Sequence, residues 1–358
     1  MKQDFSYYKG KRILVTGHTG FKGSWICQLL LELGAEVTGY ALEPPTKPAM
    51  FTLCGLKQHM RSETGDIRDL EHLQKVFWET QPEGVIHMAA QPIVRESYRK
   101  PVETYEINVM GTVNVLESIR HTDSVSSLVN VTTDKVYANK ERQEGYREEE
   151  ELNGFDPYSN SKSCSELVTS SYRKSFFQGE RKVAVSTMRA GNVIGGGDFA
   201  RDRILPDCIR AIEKGEKIGV RNPDSIRPYQ HVLEPITAYL MVLMEQDRNH
   251  KLSGSYNIGP EEEDSLTTGE MVTRFCRIWQ ATTDRWEAGW QCIGQNGPHE
   301  ASLLRLNCER LKETFGWQPS WRVDTALQKT AEWYNAYLSK EDLSAWTGKQ
   351  IKDYFTER

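Results

Sequence analysis

Short β-branched apolar runs alternate with stretches of helical apolar period along the first half of this chain. Residues 12–16 (RILVT) are apolar and β-branched and read as a buried strand. A glycine-rich turn follows, and residues 24–33 (SWICQLLLEL) carry a helical pattern that Gly34 stops. Residues 36–40 (EVTGY) read as a second strand. The alternation continues with a helix near 70–80, a strand at 84–88 (GVIHM), a helix near 102–120, a strand at 127–131 (SLVNV), a helix over 158–177 and a strand at 183–188 (VAVSTM). Strands separated by helices predict an α/β fold with a doubly wound parallel sheet covered on both faces. After about residue 190 the texture changes. Gly195-Gly196-Gly197-Asp198 reads as a loop, 204–214 and 267–280 as separate short helices, and 286–300 has no clear period. The expected division is a first unit over residues 1–190 and a smaller α/β lobe over 191–358. The apolar stretch 236–244 suggests that the second part returns to the first, near 228–250 and again near 303–325.

Composition narrows the classes. The chain has 358 residues, 27% charged and 38% hydrophobic, with a formal net charge of -5, which fits a large domain with an appended lobe. No dense Lys/Arg block is present, which argues against a nucleic-acid surface, although a few local arginines suffice to hold one diphosphate. The seven cysteines are scattered, odd in number and never in a C-x-x-C pair. They read as free thiols of a reducing compartment and not as disulfides or a zinc site, so no metal is expected. The polar N-terminus runs almost at once into a strand and does not look like a signal peptide. No apolar run is long enough to cross a bilayer. The expected location is the cytoplasm. The acidic run Glu148 to Glu151 reads as a solvated loop.

Two motifs carry chemistry. Gly17-His18-Thr19-Gly20-Phe21-Lys22-Gly23 lies between a strand and a helix. Glycines there permit a tight turn and a close approach of backbone N–H groups to a pyrophosphate at the helix N-terminus. A glycine triplet alone is weak evidence; its place between RILVT and an apolar helix strengthens it. His18 adds bulk where small residues fit more easily, which predicts a looser hold on the cofactor. Gly65-Asp66-Ile67 follows the third expected strand, and Asp66 can accept a hydrogen bond from an adenine amino group or cap the next helix. Only Glu43 offers a ribose-binding acid near the second strand, and no phosphate-binding arginine is nearby, which favours NAD over NADP. The second motif is Tyr158-x-x-x-Lys162. Residues four apart share a helix face, so the ammonium can stabilise the phenolate. The spacing is common, but it becomes specific downstream of a dinucleotide turn and three β-α units.

The order GHTGFKG, HMAAQ (87–91), TTDKVY (132–137) and YSNSK (158–162) resembles the extended short-chain dehydrogenase/reductase family over nearly the whole chain. Within it the chain is similar to the nucleotide-sugar 4,6-dehydratases, because sugar 4-epimerases typically carry small or hydroxylic residues where this chain has Asp134-Lys135. Most 4,6-dehydratases have Asp-Glu; the Asp-Lys variant resembles the members that take CDP-D-glucose. The resemblance implies a Rossmann-type sheet, bound NAD, and Thr133, Asp134, Lys135, Tyr158 and Lys162 as the catalytic set. Tyr158 and Lys162 also meet the cofactor, as do the glycine-rich turn, Asp66, Ile67, Ala89, Ala90, Asn108 and Thr132. It places Gln91, Asn192, Arg203, Arg221, Arg227, His231 and His299, with Glu300 beside it, at the substrate. Arginine suits a diphosphate through its planar fork. The resemblance also implies a homodimer in which helices 102–120 and 158–177 build a four-helix bundle. Two other readings stand beside this one. An epimerase, or a dehydratase for another nucleotide, is disfavoured by Asp134-Lys135 only in its epimerase form. A catalytically silent dinucleotide-binding regulator is disfavoured by the intact Thr133, Tyr158 and Lys162.

Overall fold

The computed structural model describes residues 4–179, 182–283, 289–294 and 303–357. Its strands are β1 (Arg12–Thr16), β2 (Glu36–Ala41), β3 (Arg61–Thr64), β4 (Gly84–His87), β5 (Ser127–Val131), β6 (Ala184–Ala190), β7 (Asn192–Ile194), β8 (Ile218–Val220), β9 (Ile226–His231), β10 (Ser255–Ile258), β11 (Ser265–Thr267) and β12 (Trp290–Cys292). Seven of them form one parallel sheet in the order β10-β6-β5-β4-β1-β2-β3. The chain runs outward from β1 through β2 to β3, then returns to β4 on the other side of β1. That reversal opens a crevice at the carboxyl ends of β1 and β4, where such sheets bind their ligands.

The alternation of side chains along a strand explains why both faces are apolar. Ile13 and Val15 of β1 point into one core with Ile86, Val129 and the helix Leu233–Arg248. Leu14, Val85, Leu128 and Val185 point to the opposite face, against Val115, Leu116 and Ile119. The helix Leu233–Arg248 is tied to the sheet by polar contacts as well. Ser127 Oγ donates to the Leu243 carbonyl at 2.8 Å, and Gln246 Nε2 to the Leu128 carbonyl at 2.9 Å.

Local signals fix the helix ends around the crevice. Asp69 accepts from the His72 N–H to start the helix Leu70–Thr80. Asp156 accepts from the Ser159 N–H, with Pro157 as the first helical residue, to start the helix Pro157–Ser175. The stretch expected as one helix over 102–120 is helical throughout but contains a π turn at Glu106–Met110, between Pro101–Tyr105 and Gly111–Arg120. Such a turn swells the helix by one residue, and here it carries Asn108.

The remaining strands form a three-stranded sheet, β11-β9-β7, and a two-stranded one, β12-β8. After residue 190 the polypeptide comes back to the large sheet through the helix Leu233–Arg248 and through β10. β10 is its edge strand, and the terminal helix Leu343–Glu357 packs on the helix Phe21–Glu32, where Gln28 Nε2 donates to the Ser344 carbonyl at 2.8 Å. Among the described residues no helix is long and apolar enough to cross a membrane.

Candidate active site

The glycine-rich turn leaves β1 and enters the helix Phe21–Glu32. Gly17 has φ +77°, and a Cβ on it would sit 2.7 Å from the Ala89 nitrogen. A Cβ on Gly23 would fall 2.1 Å from the Gly17 carbonyl oxygen, so only glycine allows the helix to start this close to the turn. Gly20 is the helix N-cap and supplies no capping side chain. The positive end of the helix and its first N–H groups therefore face the crevice. Ala89 and Met88 are held by their N–H groups to Thr16 Oγ1, both at 3.1 Å, which brings the 88–90 segment against Gly17.

His18 does not crowd the turn. Its ring is fully buried against Gly39 of β2, where a Cβ would meet the ring at 2.2 Å. Nε2 is 2.8 Å from Ser62 Oγ, and Phe51 packs edge-on. Burial pushes this imidazole down to about 4. The expected looseness from added bulk thus has no counterpart in the turn, because Gly39 makes room for the ring. Thr19 Oγ1 donates to the Leu42 carbonyl. Asp66 lies past β3 with its carboxylate held below the usual range by Arg68, which donates at 2.6 Å. It does not cap the following helix; Asp69 does. Ile67 is buried beside Gly111. Thr64 Oγ1 reaches Glu43 at 3.3 Å.

Beyond the end of β5, Thr133, Asp134 and Lys135 meet the face of the helix Pro157–Ser175 that carries Tyr158 and Lys162. Asp134 is 1% exposed. Its Oδ1 accepts from Thr133 Oγ1 at 2.9 Å and from Lys135 Nζ at 3.1 Å. Oδ2 is buried with no partner among the described residues, and faces the Gly191 backbone. A buried carboxylate oxygen without a partner is costly, unless a ligand hydroxyl or a proton completes it. Lys135 remains about one-third exposed (32%) and paired with Asp134. Lys22 lies nearby among cations: burial, Arg203 and Lys162 together push it down to about 7.

Burial raises the Tyr158 hydroxyl to about 12, with the adjacent Thr133 hydroxyl pulling it down, the Asp134 charge pushing it up and Arg203 pulling it down again. Lys162 turns its ammonium to the Val131 carbonyl at 3.2 Å, and burial lowers it to about 8 against the pull of Glu166. Arg203 thus supplies positive charge felt by the phenol. Thr132 turns its hydroxyl down to Glu166 at 2.5 Å. Glu166 in turn accepts from Thr187 at 2.6 Å and from Arg189 at 2.8 and 3.0 Å, a pair that is 2% exposed on each side. Motif reading passed over Glu166, although its place four residues after Lys162 puts it on the same helix face.

The expected substrate contacts separate into groups. Arg203 lies at the crevice, joined to the buried Asp198 at 2.9 Å; Asp198 is a second residue that the sequence did not single out. Arg221 pairs with Asp202 at 2.7 Å, next to the charges of Arg95 and Arg99. Asn192 is half-buried at the start of β7 beside Gly191, and Arg227 lies on β9, donating to the Ile226 carbonyl. Three expectations need correction. His231 is fully buried, edge-on to Trp25 and Trp321, with its pKa held down to about 3, so it is a core residue and not a substrate contact. The Gln91 amide is spent inside the protein, on Thr104 Oγ1 (2.9 Å) and the Ile93 N–H (2.6 Å). Asn108 likewise holds the Gln91 backbone and Ser161. Both fix the loop and do not face a ligand. Ala90 is half-buried. His299 and Glu300 lie outside the described residues.

A doubly wound sheet, a glycine turn at its switch point and a Tyr-Lys helix beside Thr-Asp-Lys define an extended short-chain dehydrogenase/reductase. The model of the GDP-mannose 4,6-dehydratase family matches residues 14–330, and the chain belongs to that family. It is 45% identical, over 99% of its length and 98% of the relative's, to the CDP-glucose 4,6-dehydratase of Salmonella typhimurium. Among solved structures it resembles the UDP-glucose 4-epimerase of Thermus thermophilus in complex with NAD, at 26% identity and a TM-score of 0.76, covering 90% of this chain and 98% of that one. The dTDP-glucose 4,6-dehydratase of Bacillus anthracis, at 22% identity and the same TM-score of 0.76, shares the fold over 94% of this chain and 100% of that one.

Proposed function

We propose that this protein is an NAD-dependent hydro-lyase that converts CDP-D-glucose to CDP-4-keto-6-deoxy-D-glucose and water. The observation that carries the reading is the buried Asp134 with its unpartnered Oδ2, paired with Lys135 and hydrogen-bonded by Thr133. Simple oxidation and epimerisation at C4 have no use for an extra acid and an extra base. The relative from Salmonella typhimurium supports the choice of CDP-D-glucose. The turn fits a dinucleotide: Gly17 and Gly23 admit no Cβ, and no side chain caps the helix end they expose. NAD bound there would supply the hydride acceptor for C4 and the hydride donor for C6 of the sugar.

The residues do the rest. Tyr158 accepts the C4 hydroxyl proton, and Thr133 orients that hydroxyl. The C4 ketone acidifies the C5 hydrogen, which Lys135 removes. Asp134 protonates the departing C6 hydroxyl from Oδ2. Lys135 then returns its proton to C5. Lys22 and the first N–H groups of the helix Phe21–Glu32 serve the cofactor diphosphate, with Asp66 at the adenine. Arg203, Arg221, Arg227 and Asn192 serve the sugar nucleotide. In this reading residues 1–190, with the returns near 228–250 and 303–325, form the cofactor unit, and the rest is mainly the substrate lobe.

The helices Pro101–Tyr105 and Pro157–Ser175 carry exposed Val102 (70%) and Leu167 (56%). Their exposure supports a homodimer through a four-helix bundle, and the seven free cysteines support a reducing cytoplasm. The test is incubation of the protein, with and without added NAD, with CDP-, UDP-, GDP- and dTDP-glucose. Alkali-developed absorbance of a 4-keto sugar from the CDP substrate is the expected result; an epimer, or a keto sugar from another nucleotide only, would overturn it.

A further inference from the structure

The segment from Thr132 to Tyr137 carries Thr133, Asp134 and Lys135. Thr133 Oγ1 and Lys135 Nζ both donate to Asp134 Oδ1, at 2.9 and 3.1 Å. Those contacts lie within the segment and travel with it. They set its shape, whereas its place relative to Tyr158 has to come from its two ends. At one end Thr132 Oγ1 donates to Glu166 Oε1 at 2.5 Å. At the other the Tyr137 hydroxyl accepts from Arg189 Nη1 and donates to Asn257 Oδ1, both at 2.7 Å. Arg189 Nε and Nη2 donate to the two oxygens of Glu166 at 3.0 and 2.8 Å, so both ends hang on one ion pair. Glu166 stands one turn after Lys162 on the helix that also carries Tyr158. Ser163 Oγ of that helix adds a tie to the Val136 carbonyl at 2.7 Å.

The pair is saturated inside the protein. Glu166 Oε2 also accepts from Thr187 Oγ1, and Arg189 Nη1 also donates to the Glu148 carbonyl at 3.0 Å. Both side chains are buried, so neither is a catalytic residue. A buried ion pair adds little net stability over well-packed apolar residues, and its best-attested use is to fix register. We propose that Glu166 and Arg189 are positioning residues that clamp the catalytic segment at its two ends. Glu166, through Thr132, sets Thr133 at the C4 hydroxyl. Arg189, through Tyr137, sets Lys135 at C5. Oxidation and elimination therefore answer to opposite ends of one clamp, and a misplacement of about 1 Å is enough to cost roughly 10²-fold in rate. This inference rests on the dehydratase reading.

The experiment loosens one end at a time and leaves the ion pair in place. Tyr137→Phe removes the hydroxyl at the Arg189 end. Thr132→Val removes the one at the Glu166 end, and Thr132→Ser keeps it. Each protein, loaded with NAD, is mixed with CDP-D-glucose. Reduced cofactor is followed by stopped-flow absorbance and keto sugar by rapid quench, both per folded site. Tyr137→Phe is expected to oxidise C4 at the wild-type rate and to form keto sugar about tenfold or more slowly, so that reduced cofactor accumulates. Thr132→Val is expected to slow the appearance of reduced cofactor itself by about tenfold, with none accumulating, and Thr132→Ser to match the wild type. A pair that only stabilised the fold would change the number of folded sites and not the ratio of the two rates. A wild type that forms no keto sugar overturns the dehydratase reading and the clamp with it. An active wild type overturns the clamp alone if Tyr137→Phe or Thr132→Val keeps the wild-type ratio of the two rates, or if Thr132→Ser is as slow as Thr132→Val. Should Tyr137→Phe fail to fold, the two Thr132 variants decide by themselves.

Discussion

Two substitutions separate the steps assigned to individual side chains. Tyr158→Phe removes the proton acceptor for C4 oxidation, so no reduced cofactor should appear on mixing with substrate. Lys135→Ala leaves that step intact and should show reduced-cofactor absorbance with keto-deoxy sugar formation down by roughly 10²–10⁴-fold. Near-normal turnover of Lys135→Ala would remove Lys135 from the role of C5 base. Behind them, Glu166 and Arg189 form a buried pair with two hydrogen bonds between them. Glu166→Gln strands the Arg189 charge and should cost about 3–5 kcal/mol, read as a lower denaturation midpoint. Thr133, Asp134, Tyr158 and Lys162 were legible because motif spacing fixes what a strand end and a helix face present to each other. Asp198 and Glu166 were not, because a buried carboxylate that partners an arginine has no signature until the fold brings the two together. His231 misled for the converse reason: a histidine in a segment rich in arginine and aromatic residues looks polar, and only the packing of Trp25 and Trp321 around it shows otherwise.

At the scale of elements, the closeness of the helix Phe21–Glu32 to its turn sets the cofactor site. Gly23→Ala would drive a Cβ against the Gly17 carbonyl oxygen, a backbone atom that has no room to yield. It should cost about 1–3 kcal/mol in thermal or denaturant unfolding and abolish NAD binding by calorimetry. Unchanged binding would mean that the turn is not the dinucleotide cradle. Several strands and helices of the first 190 residues were readable to the residue, since β-branched runs and helical apolar period are local signals: 12–16, 70–80 and 127–131 match the observed bounds, while the short helices Met50–Leu53 and Val94–Arg99 were passed over. The π turn at Glu106–Met110, the return of β10 to the large sheet and the packing of the last helix on the helix Phe21–Glu32 were not. The first depends on how Asn108 engages the 91 loop, and the others on packing between segments distant in sequence.

For the whole molecule, three buried imidazoles among the described residues set the acid response. Burial holds His18 at about 4, and His87 and His231 at about 3, against an ordinary 6.5. The unfolded chain takes up these protons below 6.5 while the folded chain refuses them, so stability should fall as pH drops from 6.5 toward 4. The slope approaches roughly 1.4 kcal/mol per pH unit for each group. Denaturant titrations across that range check it, and His87→Asn should remove about a third of the slope; a flat profile would contradict these imidazoles remaining neutral. The central claim, oxidation, elimination and hydride return within one site, is tested most directly with CDP-D-glucose carrying deuterium at C4. The account predicts a C4 ketone with the deuterium moved to C6 of the same molecule. Deuterium retained at C4 in an epimerised sugar, or held on accumulating reduced cofactor with C6 still hydroxylated, would contradict it.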